Sequence, residues 1–531
     1  MRTRVIGIFA GAGVRRFAVF AAAIMMGVTT MAQGQANSPD AAPVAQTEKG
    51  KVRGAVEPNG VLVFRGIPYA EDTGGANRFL PPKPRKPWSG ELDGSVPGPA
   101  CPQEPMLVQG RPLSEDCLRV NVWTRSLAGK RPVVVWFHGG AYKIGSNDYL
   151  AEGANGAFAA GSGDIVFVSL NHRLNVLGYL QLGPEFGKEY ARSGNVGLLD
   201  LVAALTWVKH NIAKFGGDPN NVTIAGPSGG GSKTMHSLAM PAMKGLFEHA
   251  IVFSGHDLWK RNSAEAARKS SDAVLKQLGV EPGDIAKLRA LPYAAIQQAY
   301  ADVSSTYGSD PSWGAEGWVN YDILSPNIDG VVVPEYPMDA IAKGAGKDVD
   351  LIVAVDQWTH WMTRRTPPAS FDKDLFGSLS LPQLADTLRP MLRDRTDDIV
   401  ASYRKALPGA SPSSLLALIV TDRDWWIPGV RLAEAKAKGG NPGRMLFSRS
   451  GGNAHSYMFG TNMQTAFAPA LIGQVKGAYN AFALTGDPNH PGIPAWPVYT
   501  PQSRKVLMLE HDVNVADDPF QAQRMIWDGI R

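Results

Sequence analysis

Val222-Thr-Ile-Ala225-Gly226-Pro227-Ser228-Gly229-Gly230-Gly231 is the stretch on which the fold turns. A short buried-strand pattern runs without a break into a glycine-rich turn and then into a plausible helix start. The turn reads G-x-S-x-G. In that arrangement a serine sits on a sharp strand-to-helix corner, and its neighbours must be small because a bulky side chain would strike the crossing backbone.

Two earlier runs share the pattern. Val133-Val-Val-Trp-Phe137 leads into His138-Gly139-Gly140-Ala141, and Ile165-Val-Phe-Val-Ser-Leu170 leads into Asn171-His-Arg173. Continuous apolar strands of this kind are buried on both faces, as in a parallel sheet. Between the second and third runs, Leu198, Leu201, Leu205, Val208 and Ile212 recur at helical spacing and stop before Gly216-Gly217. Strand, helix and strand in that order predict βαβ units. The expected class is α/β, with a large, mostly parallel central sheet flanked by helices.

The chain has 531 residues, 44% of them apolar and 19% charged, with 13 tryptophans. Such a chain can bury a large core, which excludes a disordered protein. Collagen, coiled-coil and disulfide-scaffold classes fail as well, because the 58 glycines have no period, no heptad run occurs and there are two cysteines.

The formal charge of +5 invites a nucleic-acid partner, yet four of those charges lie at one end. Residues 1–36 carry Arg2, Arg4, Arg15 and Arg16 and no acid, followed by the apolar run Phe17–Val28 and then small residues. This is the layout of a secretory signal, with cleavage expected after Ala32 or Ala36. The apolar run is shorter than the ~20 residues that span a bilayer, so no membrane span is expected. Arg15-Arg16-Phe17 has the order of a twin-arginine signal, a common arrangement before an apolar run. Removing residues 1–36 leaves +1. No basic, aromatic-interleaved run remains, so no nucleic-acid partner is expected.

Residues 37–531 read as a single domain without repeats or long linkers. Export to the periplasm or beyond places Cys101 and Cys117 in an oxidising setting, where they are expected to pair, the alternative being two separate buried thiols. No P-loop and no metal-ligand spacing occurs.

The order of motifs resembles the type-B carboxylesterases of the α/β-hydrolase fold. The similar stretches are Val61–Ala70, Glu115–Trp123, Asn171–Gly178, Phe215–Pro219, Lys244–Phe247 and Thr485–Pro488. The resemblance covers nearly all of the mature chain and also supports a Cys101–Cys117 disulfide. It implies serine-ester hydrolysis of a small-molecule ester, without cofactor or metal. Ser228 would be the nucleophile, and the N–H groups of Gly140, Ala141 and Gly229 would form the oxyanion hole.

Family order places the general base late in the chain. Gly452-Asn-Ala-His455-Ser-Tyr-Met-Phe459-Gly460 supplies it as His455, although the segment is short and lacks the acid that usually follows. The alternative is an exposed loop histidine; His138, inside the glycine turn, reads as structural. The catalytic acid is harder to place. Where the family carries it, after a strand resembling Asp350–Val355, this chain has Thr359 or His360, and Pro227 replaces the family's glutamate before the nucleophile.

Three readings follow. Asp356 or another acid such as Asp422 completes a displaced triad; Ser228 and His455 act as a dyad; or the chain is a non-hydrolytic, ligand-binding relative. Asp422 itself reads as a helix-capping acid. Trp313, Trp318, Trp358, Trp361, Trp425 and Trp426 fall where relatives build gorge and lid. They imply either a pocket for a bulky or aromatic ester or ordinary core packing.

Overall fold

The computed structural model describes residues 42–104, 108, 110–148, 155–255, 262–307, 323–357, 379–449, 454–459 and 469–530. The expected signal at 1–36 lies outside them. In chain order the strands are β1 (Val44–Gln46), β2 (Lys51–Arg53), β3 (Ala55–Val56), β4 (Leu62–Pro68), β5 (Glu91–Asp93), β6 (Arg119–Thr124) and β7 (Arg131–Phe137). They continue with β8 (Val166–Leu170), β9 (Gly217–Pro227), β10 (His249–Phe253), β11 (Asp350–Asp356), β12 (Arg444–Ser448), β13 (Lys505–Leu509) and β14 (Val513–Asp517).

β1, β2 and β5 form a small separate sheet, and the other eleven form one sheet in the order 14-13-12-11-10-9-7-8-6-4-3. From β8 across β7 to β13 every pairing is parallel. The antiparallel pairs lie towards the two edges. This is the α/β class expected from the apolar runs.

The alternation within those runs explains why they contain no polar face. In β7, Val133, Val135 and Phe137 enter one hydrophobic cluster, whereas Val134 and Trp136 enter the cluster on the opposite side. Both faces are covered, so period-2 alternation carries no polar signal. Between β8 and β9 the periodic leucines form helix Val196–Asn211, which tightens into a 3-10 turn at Ile212–Phe215 and ends at Gly216 with φ 75°. Gly217 opens β9 rather than ending the helix, so the strand is longer than its apolar part. The helical stretch Lys188–Phe215 is apolar enough to cross a membrane by length and composition, but most of it is buried in the fold, as a core helix is.

Parallel register aligns the C-terminal ends of the central strands. Phe253 pairs with Pro227 and Asp356 with Ser448, and Phe137 ends β7 beside them. In open α/β sheets this edge is where ligands meet the chain. Cys101 and Cys117 form a disulfide with Cα atoms 5.0 Å apart.

Candidate active site

Ser228 follows β9 and precedes helix Gly229–Ala239, with φ 53° and ψ −120°. A non-glycine residue in this region is strained and persists only where its surroundings enforce it. The enforcement is visible. The Ser228 N–H donates to the Phe253 carbonyl at 2.8 Å, and its carbonyl accepts from Ser232 N–H at 3.0 Å, closing the first helical turn. A Cβ on Gly226 would stand 2.3 Å from the Phe137 carbonyl oxygen, so β7 and the elbow touch backbone to backbone. The main chain is thus fully engaged while the hydroxyl makes no hydrogen bond among the described residues.

The glycine turn after β7 meets the elbow directly. Gly140 and Ala141 both have positive φ, 79° and 55°. A Cβ on Gly229 would lie 2.4 Å from the Cα of Ala141, so the two backbones are in contact. Among the described residues the N–H groups of Gly140, Ala141 and Gly229 have no hydrogen-bond partner. Three unpaired donors gathered beside a serine hydroxyl suit a developing negative oxygen.

The Cys101–Cys117 loop steadies this turn from outside. The Gln103 side chain donates to the Cys101 and Gly145 carbonyls at 3.0 and 2.7 Å and accepts from Gly145 N–H at 2.7 Å. Gly145 in turn lies against the His138 ring.

His455 is buried at 5% exposure, which removes the exposed-loop alternative. Its ring stands 6.0 Å from both the Trp136 and Phe253 rings, centroid to centroid. Trp136 is near the end of β7, and Phe253 ends β10, whose carbonyl holds Ser228. The imidazole therefore lies on the same edge of the sheet as the elbow.

The residue before it is gripped twice. Ala454 N–H donates to Asp356 Oδ1 at 2.6 Å, and the Ala454 carbonyl accepts from the Tyr479 hydroxyl at 3.1 Å. Tyr479 also meets the Phe253 ring edge-on at 5.5 Å.

Asp356 ends β11. Its Oδ2 accepts from Ser254 Oγ at 3.1 Å, and its own N–H donates to the same oxygen at 3.0 Å. Both carboxylate oxygens are thereby committed, one to the His455 loop and one to Ser254. Burial raises its pKa from 3.8 to about 6, against the pull of the Ala454 amide and the Ser254 hydroxyl. Thr359 and His360, at the family's usual acid position, lie outside the described residues.

Asp422 is elsewhere. It is no helix N-cap: its carboxylate accepts from the Tyr403 hydroxyl, which accepts from the Trp527 indole N–H at 2.8 Å. Burial pushes it up to about 7. Trp425 and Trp426 are also core residues. Trp426 packs edge-on against Phe447 and Phe520, at 5.0 and 5.6 Å. The other four tryptophans of that group lie outside the described residues.

Sequence reasoning missed Ser254, Gln103, Tyr479 and Lys233. None sits in a motif, and only Lys233, immediately after Gly229-Gly230-Gly231-Ser232, lies near one.

The profile of the carboxylesterase family matches residues 41–527. The chain belongs to the carboxylesterase family. It is a carboxylic ester hydrolase, and its relatives match it nearly end to end. The para-nitrobenzyl esterase of Bacillus subtilis (strain 168) is 32% identical over 515 residues, covering 91% of this chain and 97% of that protein. The Geobacillus stearothermophilus carboxylesterase EST55 superposes with a TM-score of 0.78 at 31% identity, covering 91% of this carboxylesterase and 99% of that chain. An esterase from Clostridium hathewayi, described as able to hydrolyse aliphatic aromatic polyesters, superposes with a TM-score of 0.72 at 31% identity, covering 92% and 98%.

Proposed function

We propose that this carboxylesterase cleaves its ester through an acyl-Ser228 intermediate. The observation that carries the reading is the strained Ser228 elbow with the Gly229 backbone pressed against Ala141. His455 takes the Ser228 proton as the hydroxyl attacks the ester carbonyl and returns it to the departing alcohol. Water then enters by the reverse sequence and releases the acid. The N–H groups of Gly140, Ala141 and Gly229 hold the oxyanion in both tetrahedral intermediates. A Ser228–His455 hydrogen bond is expected to form when substrate arrives, since catalytic hydrogen bonds often close only in the substrate complex.

Asp356 is the acid of this site in a displaced sense. Its carboxylate holds the main chain of the histidine loop through the Ala454 N–H. That makes it a positioning residue for His455. A bulky or aromatic ester is the proposed substrate class. The names of the para-nitrobenzyl esterase and of the polyester-cleaving clostridial esterase support it, as does the tryptophan content of segments 308–322 and 358–378. Export is proposed from the layout of residues 1–36, and the disulfide suits an oxidising compartment.

The test is a panel of aryl and alkyl esters of matched acyl chain, assayed with the wild type, Ser228→Ala and His455→Ala. Both variants should lose ester turnover by about 10⁴-fold or more, and aryl esters should be preferred in kcat/KM. Near-normal turnover in Ser228→Ala would overturn the acyl-serine route. Equal rates across the panel would overturn the substrate class.

A further inference from the structure

Lys233 lies one turn into the helix that starts at Gly229, and it has no solvent exposure. A lysine so placed is costly to bury, because its ammonium leaves water for a low-dielectric surrounding. Its contacts are specific. Nζ donates to the His138 carbonyl at 2.9 Å and stands 5.7 Å from the centre of the Tyr142 ring. His138 and Tyr142 flank Gly139-Gly140-Ala141, so one side chain meets both ends of the turn that carries two of the three unpaired N–H groups.

Two imidazoles feel the charge of Lys233. The His138 and His172 rings stack in parallel with centroids 4.8 Å apart. Burial pushes both imidazoles well below their usual range, and the positive charge of Lys233 pushes them further. Both are therefore neutral at the pH where esters are hydrolysed. His138 Nδ1 donates to the Gly139 carbonyl at 2.8 Å, which makes the turn still more dependent on its own first residue.

We propose that Lys233 is the positioning residue of the oxyanion hole, and this rests on the acyl-Ser228 reading. By fixing the His138 carbonyl from the nucleophile's own helix, Lys233 ties the orientation of the Gly139-Gly140-Ala141 peptides to the position of Ser228. Donation to that carbonyl also polarises the His138–Gly139 peptide and the turn beyond it. The oxygen of the substrate bears full negative charge only in the tetrahedral state. The contribution of Lys233 therefore appears in kcat and leaves ground-state binding nearly untouched.

The experiment compares the wild type, Lys233→Met, Lys233→Gln and Lys233→Arg. It measures kcat and KM on an aryl ester, the rate of fluorophosphonate labelling at Ser228, and thermal unfolding. Lys233→Met should lose about 10- to 100-fold in kcat with KM within about threefold, and label Ser228 more slowly but still stoichiometrically. Lys233→Arg, which keeps a buried donor and charge, should recover at least half of the loss on a logarithmic scale. If Lys233→Met does not fold, Lys233→Gln carries the same comparison.

A folded Met or Gln variant with wild-type kcat overturns the proposal. So does a loss confined to KM, or one that is equal in the Arg variant and tracks only the melting temperature. Failure of wild-type Ser228 to take the phosphonate overturns the acyl-serine reading instead, so the two failures are told apart.

Discussion

Asp356→Asn should make the folded protein more stable at neutral pH and a poorer esterase. The residue is half-buried at the end of β11, and desolvation of its carboxyl lifts its pKa from 3.8 to about 6 despite the Ala454 amide and the Ser254 hydroxyl. A carboxyl that holds its proton more tightly when folded stabilises the protein fully below about pH 4. That contribution declines as pH rises through the window to about 6 and is constant above it. A shift of this size is worth about 3 kcal/mol.

The asparagine amide keeps an acceptor for Ala454 and can donate to Ser254, but it has no proton to lose. The unfolding free energy of the variant minus that of the wild type should therefore increase by about 3 kcal/mol between about pH 4 and pH 7, as read by urea denaturation at stepped pH. Above about pH 6, where the wild-type carboxyl is ionised, kcat/KM of the variant should be about tenfold below wild type, because a charge-assisted bond to the histidine loop becomes a neutral one, a difference on the order of 1.4 kcal/mol. Asp356→Ala removes both acceptors and should cost about a hundredfold. Parallel stability curves for wild type and Asp356→Asn would refute the burial argument. Wild-type kcat/KM in Asp356→Ala would remove Asp356 from the site.

Two further perturbations probe the frame around the serine. Gly226→Ala places a Cβ 2.3 Å from the Phe137 carbonyl oxygen, where backbone on both sides has no room to yield. Turnover should drop at least a hundredfold or the protein should fail to accumulate in soluble form, as activity per milligram and yield would register. Replacing Cys101 and Cys117 together by serine should lower stability to urea by about 3 kcal/mol, from the loop the bridge closes. It should also reduce kcat, since Gln103 on that loop holds Gly145 against His138; unchanged kcat with lowered stability would leave the bridge a purely structural staple.

The parts legible in the sequence are those whose physics is local. The elbow at 226–230 is readable because its steric demand falls on adjacent residues, and the strands at 133–137 and 222–225 because burial on both faces leaves a continuous apolar run. His455 is readable from family order, but its surroundings are not. Trp136 and Phe253 reach its ring and Asp356 and Tyr479 grip the adjoining Ala454, from three strands that the parallel register of the sheet aligns and from the helix Pro469–Thr485.

Asp422 and Trp426 are legible only in part, as structural residues whose partners the sequence does not name. An acid and an indole in a suggestive segment turn inward, the acid to the Tyr403 hydroxyl and the indole to the Phe447 and Phe520 rings, because both faces of their helix are covered by protein. Lys233 escapes notice for the same reason: its helix is buried on every side, so no polar face marks which residues point at the site.

The acyl-serine route is tested most directly by treating the purified protein with a fluorophosphonate and mapping the adduct by peptide mass spectrometry. A single stoichiometric adduct on Ser228, lost on acid denaturation before labelling and strongly slowed in His455→Ala, is the expected result. An intact, folded protein that takes no adduct at Ser228, under conditions that fully label a control esterase, would contradict it.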